Sequence, residues 1–268
     1  MRETASKHQT SPKQADTIPH MLFPGLDLNY ISHRFDAITP AVVSASKVLP
    51  VTDPGRSPPA LQQAMHRLIE LLEIVVRQIN TSSDSTKVSR EELNELGDYG
   101  IQLLADFSSI ASALNMPQQS QELEDLTLPM ALWILRQQGE LLTLEPIVNS
   151  LARLANRLRE PSQLQQLYDV AVELLQAVEH AMQNDQEIPL NAHTRRILLM
   201  NQAIIATRSH QPALIDEAYQ TLCRLLPDEA AQFFREGMEQ MDALDYPQSV
   251  REVVEKYYNL WCLPRTLH

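Results

Sequence analysis

Residues that build β-sheets and their turns are scarce in this sequence. Only 6 of the 268 residues are glycine, and aromatic residues make up 5% of the chain. β-branched residues do not alternate with polar ones over any long stretch, so the pattern that predicts β-strands is missing. We therefore expect an all-α fold.

Cysteine is scarce as well. The chain contains 2 cysteines, Cys223 and Cys262, which lie far apart and do not form a Cys-x-x-Cys motif. Neither a disulfide framework nor a zinc knuckle is indicated. We interpret both residues as reduced thiols at helix positions.

Long apolar runs are missing too. No stretch of about 18 apolar residues predicts a membrane-spanning helix. The first residues, Met1 to Lys7, lead into polar sequence and not into the apolar core of a secretory signal. We therefore expect a cytoplasmic protein that is neither exported nor inserted into a membrane.

Basic residues are outnumbered by acidic ones. The chain has 22 Lys and Arg against 34 Asp and Glu, which gives a formal net charge of -12 at pH 7. A molecule of this charge repels phosphate backbones and anionic lipid surfaces. Nucleic acids and membranes are therefore not expected as partners.

Residues 1–56 differ in composition from the rest of the chain. This stretch is rich in Ser, Thr and Lys, and the prolines that interrupt it are Pro12, Pro19, Pro24, Pro40, Pro50 and Pro54. Since proline breaks regular helices, we predict a flexible N-terminal arm over residues 1–56. Residues 57–268 are predicted to form a single all-helical domain.

From Pro58 onward, apolar residues recur at helical spacing. In the stretch 58–80 they are Leu61, Met65, Leu68, Leu72, Val75 and Ile79. A Ser-x-x-Glu capping box at Ser89 predicts a second helix over residues 90–114, in which Gly97 and Gly100 would permit close approach of a neighbour. Shorter helices are predicted over 118–126 and 129–138, with Gly139 as a left-handed cap.

Later helices are predicted to begin next to prolines or capping residues. The expected starts lie near Pro146, Ser162, Leu190, Pro212, Pro227 and Pro247. Residues 197–205 are apolar on more than one face, which indicates a helix buried on two sides. We predict about eight or nine antiparallel helices stacked as helical hairpins, either α-solenoid-like or as an irregular bundle.

The best-known helical repeat, of about 34 residues, does not fit this chain. When Pro247 is aligned with the last proline of that repeat, Arg235 and Asp242 fall where alanines belong. The sequence therefore indicates no known repeat family.

Spacings typical of catalytic and metal sites are absent from the sequence. The glycines form no phosphate-binding loop, and no G-x-S-x-G, H-E-x-x-H or paired Glu-x-x-His motif occurs. The acidic cluster Glu91, Glu92, Glu95 and Asp98 is interpreted as the first turn of a helix, where the dipole favours carboxylates. We expect no catalytic site, metal or cofactor.

Residues 18–31 form an apolar segment inside the polar arm. Its candidate binding residues are Met21, Leu22, Phe23, Leu26 and Tyr30. Exposure of these apolar side chains to water is unfavourable. The segment is therefore expected to pack on its own helical domain or in the groove of a partner.

Two further sets of residues are candidates for binding. At the C-terminus, Val250, Val254, Tyr257 and Trp261 fit a last helix that seals the core, which leaves Tyr258, Arg265 and His268 for a partner. Basic residues cluster at Arg153, Arg157, Arg159, His193, Arg195 and Arg196. These could form an anion patch, but solvated faces or ion pairs with neighbouring carboxylates are the favoured interpretation.

Taken together, these patterns favour a non-enzymatic protein–protein interaction module, an adaptor or accessory subunit whose partner is another protein. The alternative is an all-helical enzyme or small-molecule carrier with a pocket between helices, lined by residues such as Trp133, Met200 and Tyr219. A helix-turn-helix regulator is disfavoured because no basic recognition helix is evident.

Overall fold

The computed structural model describes residues 27–47, 54–81, 86–184 and 189–263. Within these ranges the chain is helical and has no β-strand, which confirms the all-α prediction. A short 3-10 turn occupies Pro54–Arg56. The α-helices are α1 (Leu28–Ser46), α2 (Pro58–Thr81), α3 (Thr86–Ala113), α4 (Pro117–Asp125), α5 (Thr127–Arg136), α6 (Glu145–Arg157), α7 (Pro161–Asn184), α8 (Pro189–Arg208), α9 (Pro212–Leu225), α10 (Pro227–Ala243) and α11 (Gln248–Cys262).

The first helix corrects the prediction of a flexible arm over residues 1–56, which is wrong for residues 28–46. Asp27 caps α1, because its carboxylate accepts the backbone N–H of Tyr30 at 2.7 Å. Pro40 lies inside the helix, yet a buried stripe at spacings of three and four residues continues on both sides of it. That stripe consists of Leu28, Ile31, Phe35, Ile38 and Val42.

The hairpin of α2 and α3 has the expected helices but an earlier start for the second. Because α3 begins at Thr86, Ser89 lies inside the helix, and the predicted capping box does not mark its start. A capping motif locates a helix end only to within a few residues. The expected close approach occurs at Gly100, where an added Cβ would lie 2.9 Å from Leu68 Cδ2.

The end of α5 is closed by a left-handed residue, but this residue is Gln138, with a φ of 63°, and not the predicted Gly139. The Gly139 N–H donates to the Ile134 carbonyl at 3.1 Å, which completes the helix end. Glycine is still required at position 139 for space, since an added Cβ would lie 2.7 Å from Ile134 Cγ2.

Helices α6 to α11 form a stack of successive hairpins. The Arg208 guanidinium, at the end of α8, donates to the carbonyls of Ala155 and Leu158, at the end of α6. Near the starts of α8 and α10, Arg196 pairs with Glu229. Helices α6, α8 and α10 therefore run in the same direction, while α7, α9 and α11 run in the opposite direction.

The N-terminal part is less regular. Helix α1 packs against α2, α4 and α5, and α3 packs against α2, α4 and α5. The chain thus combines an irregular cluster, α1 to α5, with the hairpin stack of α6 to α11, and α5 joins the two through contacts with α6 and α7. Among the described helices, none is long and apolar enough to cross a membrane.

Candidate functional site

A groove of about 610 Å³ lies between α8 and α10. Helix α9 separates these two helices, and its Tyr219 forms part of the floor. The α8 wall consists of Arg196, Met200, Ile204, Thr207 and Arg208, and the α10 wall consists of Glu229, Gln232, Phe233, Glu236, Gly237, Gln240 and Met241. At a rise of about 1.5 Å per residue, each wall is about 18 Å long.

Apolar side chains of the groove remain in contact with water. Ile204 is 42% exposed and Leu244, just after α10, is 52% exposed. Met200 and Phe233 are half-buried beside them. Large apolar side chains exposed side by side in a concave surface are typical of a binding site.

The floor of the groove is held rigidly by Tyr219. Its ring packs edge-on against Phe233, Phe234 and Tyr257, with centroids 5.0 to 5.6 Å away. The Thr207 hydroxyl donates to the Ala203 carbonyl, so the Tyr219 hydroxyl, 2.8 Å away, donates to Thr207. Burial raises the pKa of Tyr219 to about 12, so this phenol stays neutral at physiological pH.

Charged residues of opposite sign occupy opposite sides of the groove. Arg196 and Arg208 belong to the α8 wall, and Arg159, in the turn after α6, lies beside them. The α10 wall contributes Glu229 and Glu236. Arg196 and Glu229 pair across one end, and this hydrogen-bonded carboxylate raises the pKa of the Arg196 guanidinium.

The middle of the α10 wall is a glycine. A Cβ added at Gly237 would meet nothing closer than Val254 Cγ1 at 3.6 Å, so the packing of α11 does not require glycine there. Glycine inside a helix costs about 1 kcal/mol relative to alanine. Gly237 is one of the residues that line the groove.

The polar groups that line the groove include the hydroxyls of Thr207, Tyr219 and Tyr246 and the carboxylates of Glu229 and Glu236. Among the described residues that line it there is no serine, cysteine or histidine. No group of His, Cys, Asp or Glu side chains in the described parts of the chain is arranged to hold a metal ion.

Most of the predicted partner-binding residues lie outside the described ranges, namely Met21, Leu22, Phe23, Leu26, Arg265 and His268. Tyr30 on α1 and Tyr258 on α11 are half-buried and pack against the core. Neither residue lines the groove. Of the residues expected to seal the core, Val250, Val254 and Tyr257 are buried and Trp261 is half-buried.

Except for Arg159, the arginines of the predicted anion patch face carboxylates of other helices. Arg153 lies 3.0 Å from Glu124, Arg157 lies 2.5 Å from Asp125, and Arg195 lies 3.1 Å from Glu179, while His193 is exposed. This is the ion-pair arrangement that the sequence favoured over an anion patch. Of this set, Arg159 and Arg196 line the groove.

The acidic cluster on α3 lies beyond the first turn, because the helix begins at Thr86, which corrects the predicted position. Asp98 accepts the backbone N–H groups of Leu142 and Thr143 at 3.0 and 2.7 Å, so its carboxylate fixes the segment after α5. Asp98 therefore has a structural function in the fold.

Two of the three residues that the sequence suggested as a pocket lining belong to the groove. Met200 and Tyr219 line the groove, whereas Trp133 is buried in α5 and is not part of it. Sequence reasoning missed the α10 wall. The available signals were a glycine within an amphipathic helix, Gly237, and an apolar residue after its end, Leu244.

A second cavity, of about 420 Å³, lies between α5, α7 and the segment after α5. Its apolar lining, which includes Leu141, Ile147 and Leu174, is buried in the chain's own core. Its carboxylate Glu140 lies 3.4 Å from His180. The groove, which leaves apolar side chains in water, is the stronger candidate for a binding site.

Comparison of the chain with family models, with curated proteins and with solved structures finds no match. The function is therefore argued from the shape and side chains of the groove.

Proposed function

We propose that the protein is a non-enzymatic interaction module of the cytoplasm, an adaptor or accessory subunit, whose groove between α8 and α10 binds an amphipathic helix of a partner protein. The shape of the groove is the observation that carries this proposal. Two roughly parallel walls of about 18 Å match about three turns of an α-helix. Docking an amphipathic helix into an apolar groove is a common mode of peptide recognition.

The exposed apolar side chains support this occupant. A partner helix with apolar residues at positions i, i+4 and i+7 would cover Ile204 and Leu244 and rest on Met200 and Phe233. Burial of these side chains supplies the favourable free energy, at about 25 cal/mol per Å² of apolar surface.

The second candidate is a small-molecule carrier or enzyme. The volume of about 610 Å³ falls in the range of small-molecule pockets, so size does not distinguish the two. A pocket of that kind encloses its ligand, however, whereas Ile204 and Leu244 stay 42% and 52% exposed at the mouth. This favours a long, surface-lying occupant.

A peptide selection followed by titration tests the proposal. A phage-displayed library of helical peptides is selected against the full-length protein, and the affinities of the enriched peptides are measured by calorimetry. We expect Ile204→Asp to weaken binding at least tenfold, because a carboxylate would then be buried against the apolar face of the peptide.

Ile74→Asp is the matched control, since Ile74 is also a mid-helix isoleucine and is 44% exposed, against 42% for Ile204. Peptides that bind both variants equally well, or a library that yields no binder, would refute the proposal. An organic molecule released from the purified protein on denaturation, and lost in the Ile204→Asp variant, would support the carrier instead.

A further inference from the structure

The charged residues that line the groove are separated by sign. The cations come from the α6–α8 side, namely Arg159, Arg196 and Arg208. The carboxylates, Glu229 and Glu236, come from α10, where Gln232 and Gln240 complete the polar edge. An occupant therefore meets a positive edge on one side and a negative edge on the other.

At one end of the groove, the charges of the two edges already neutralise each other. Arg196 and Glu229 pair with each other across the start of the groove, so they offer little net charge to a ligand. The positive edge then depends on Arg159 and Arg208, and the negative edge on Glu236.

The two remaining arginines keep their charge available. Arg208 donates to the carbonyls of Ala155 and Leu158, which positions the guanidinium without neutralising it. Arg159 is exposed, and among the described residues it takes part in no ion pair. Glu236, on the opposite edge, is exposed as well.

We infer that the partner helix carries acidic residues along the flank facing Arg159 and Arg208, and basic residues along the flank facing Glu236. This inference rests on the proposed function and adds the chemistry of the partner. With these flanks the helix fits in one rotational orientation, because the opposite orientation places like charges together, which is penalised in interfaces. A polyanion is a poor occupant, since the α10 wall repels it.

The test reverses the charge of one residue on each edge of the groove. The double variant Arg159→Glu, Glu236→Lys keeps the net charge and leaves Arg208, which is hydrogen-bonded to the end of α6, unchanged. For peptides that the Ile204→Asp variant fails to bind, we expect the double variant to weaken binding about fivefold to tenfold at low salt. Peptides in which the acidic and basic flanks are exchanged should bind the double variant better than the wild type.

The control is the double variant Arg77→Glu, Glu95→Lys, which reverses the charges of two residues outside the groove. Both residues are accessible to solvent, because the side chain of Arg77 is 73% exposed and Glu95 is also exposed. This variant should leave the affinities unchanged. Rescue by the exchanged peptide separates a direct charge contact from a general loss of folding.

The outcomes separate this inference from the proposed function. Peptides whose binding requires Ile204, but whose affinity is the same for the Arg159→Glu, Glu236→Lys variant as for the wild type, would overturn the flank assignment. The groove would then remain a docking site. Binding that is insensitive to Ile204→Asp would overturn both. Concentration-dependent self-association that Ile204→Asp abolishes would identify a second copy as occupant and overturn the inference.

Discussion

At the scale of single residues, Asp216 on α9 accepts hydrogen bonds that join the last helix, α11, to the hairpin stack. Its carboxylate accepts from the Lys256 ammonium at 2.7 Å and from the Tyr257 hydroxyl at 2.9 Å. Hydrogen bonding from Lys256 is the main reason that the pKa of Asp216 is lowered. The ionised form of Asp216 therefore stabilises the contact between α9 and α11.

This lowered pKa predicts how stability depends on pH. A carboxyl whose folded pKa lies below its unfolded value, about 3.9, stabilises the fold above that value, and the effect is lost as the pH falls through the folded pKa. Asp216→Asn should therefore cost about 1 kcal/mol at pH 7 and progressively less in acid. Urea unfolding of both proteins at pH 7 and pH 3 measures the difference.

Glu239→Gln serves as the control, since Glu239 is exposed on α10. This substitution should change the free energy of unfolding by less than about 0.5 kcal/mol at either pH. A cost for Asp216→Asn that stays constant between pH 7 and pH 3 would contradict the ion pair as its origin.

At the scale of helices, two glycines give opposite predictions. Gly139→Ala places a Cβ 2.7 Å from Ile134 Cγ2 and 3.2 Å from the Ile134 carbonyl oxygen, so we expect a loss of about 1–3 kcal/mol. Gly237→Ala has space and lies inside α10, so we expect a gain of up to about 1 kcal/mol. Thermal or urea unfolding checks both, and a loss at Gly237 equal to that at Gly139 would contradict the packing described for α10.

Helix α1 provides a third prediction. Phe35 is completely buried and packs edge-on against Phe107, with ring centroids 5.4 Å apart. Phe35→Ala should lower the free energy of unfolding by about 3–5 kcal/mol, whereas His33→Ala, on the exposed face of α1, should change it little. A mild effect at Phe35 would mean that α1 is peripheral to the core.

The sequence predicted the helices far better than their ends. Apolar spacing and prolines located α2 to α11, because proline at a helix start and an apolar stripe are properties of local sequence. Helix α1 was missed because the prolines of residues 1–56, above all Pro40 inside the helix, outweighed the stripe that includes Ile31 and Phe35. Tertiary burial of that stripe compensates for the hydrogen bond that Pro40 cannot make.

The candidate site could be predicted only in fragments. Residues such as Met200 and Tyr219 suggested a pocket, but the groove exists because α9 holds α8 and α10 apart. Such a gap between helices that are not consecutive depends on tertiary packing. The apolar run at 197–205 lies in α8, which packs against α7 and α9 as expected for a helix buried on two sides. Within this run, Ile204 is exposed to the groove, which the sequence did not indicate.

At the scale of the whole molecule, the binding surface follows from the stacking of hairpins. Parallel helices α6, α8 and α10 lie along one side, and the hydrogen bonds from Arg208 to the end of α6 join α8 to α6. The irregular cluster of α1 to α5 supports the first of these helices. A partner helix in the groove would extend the stack by one further element.

Hydrogen–deuterium exchange of the full-length protein, with and without an enriched peptide, tests most directly that this groove is the binding site. We expect the peptide to slow exchange in α8 and α10, over residues 196–208 and 229–241, because a bound helix suppresses their local opening. Exchange in α2 should not change. Protection confined to α2, or to the second cavity between α5 and α7, with α8 and α10 unaffected, would contradict the account.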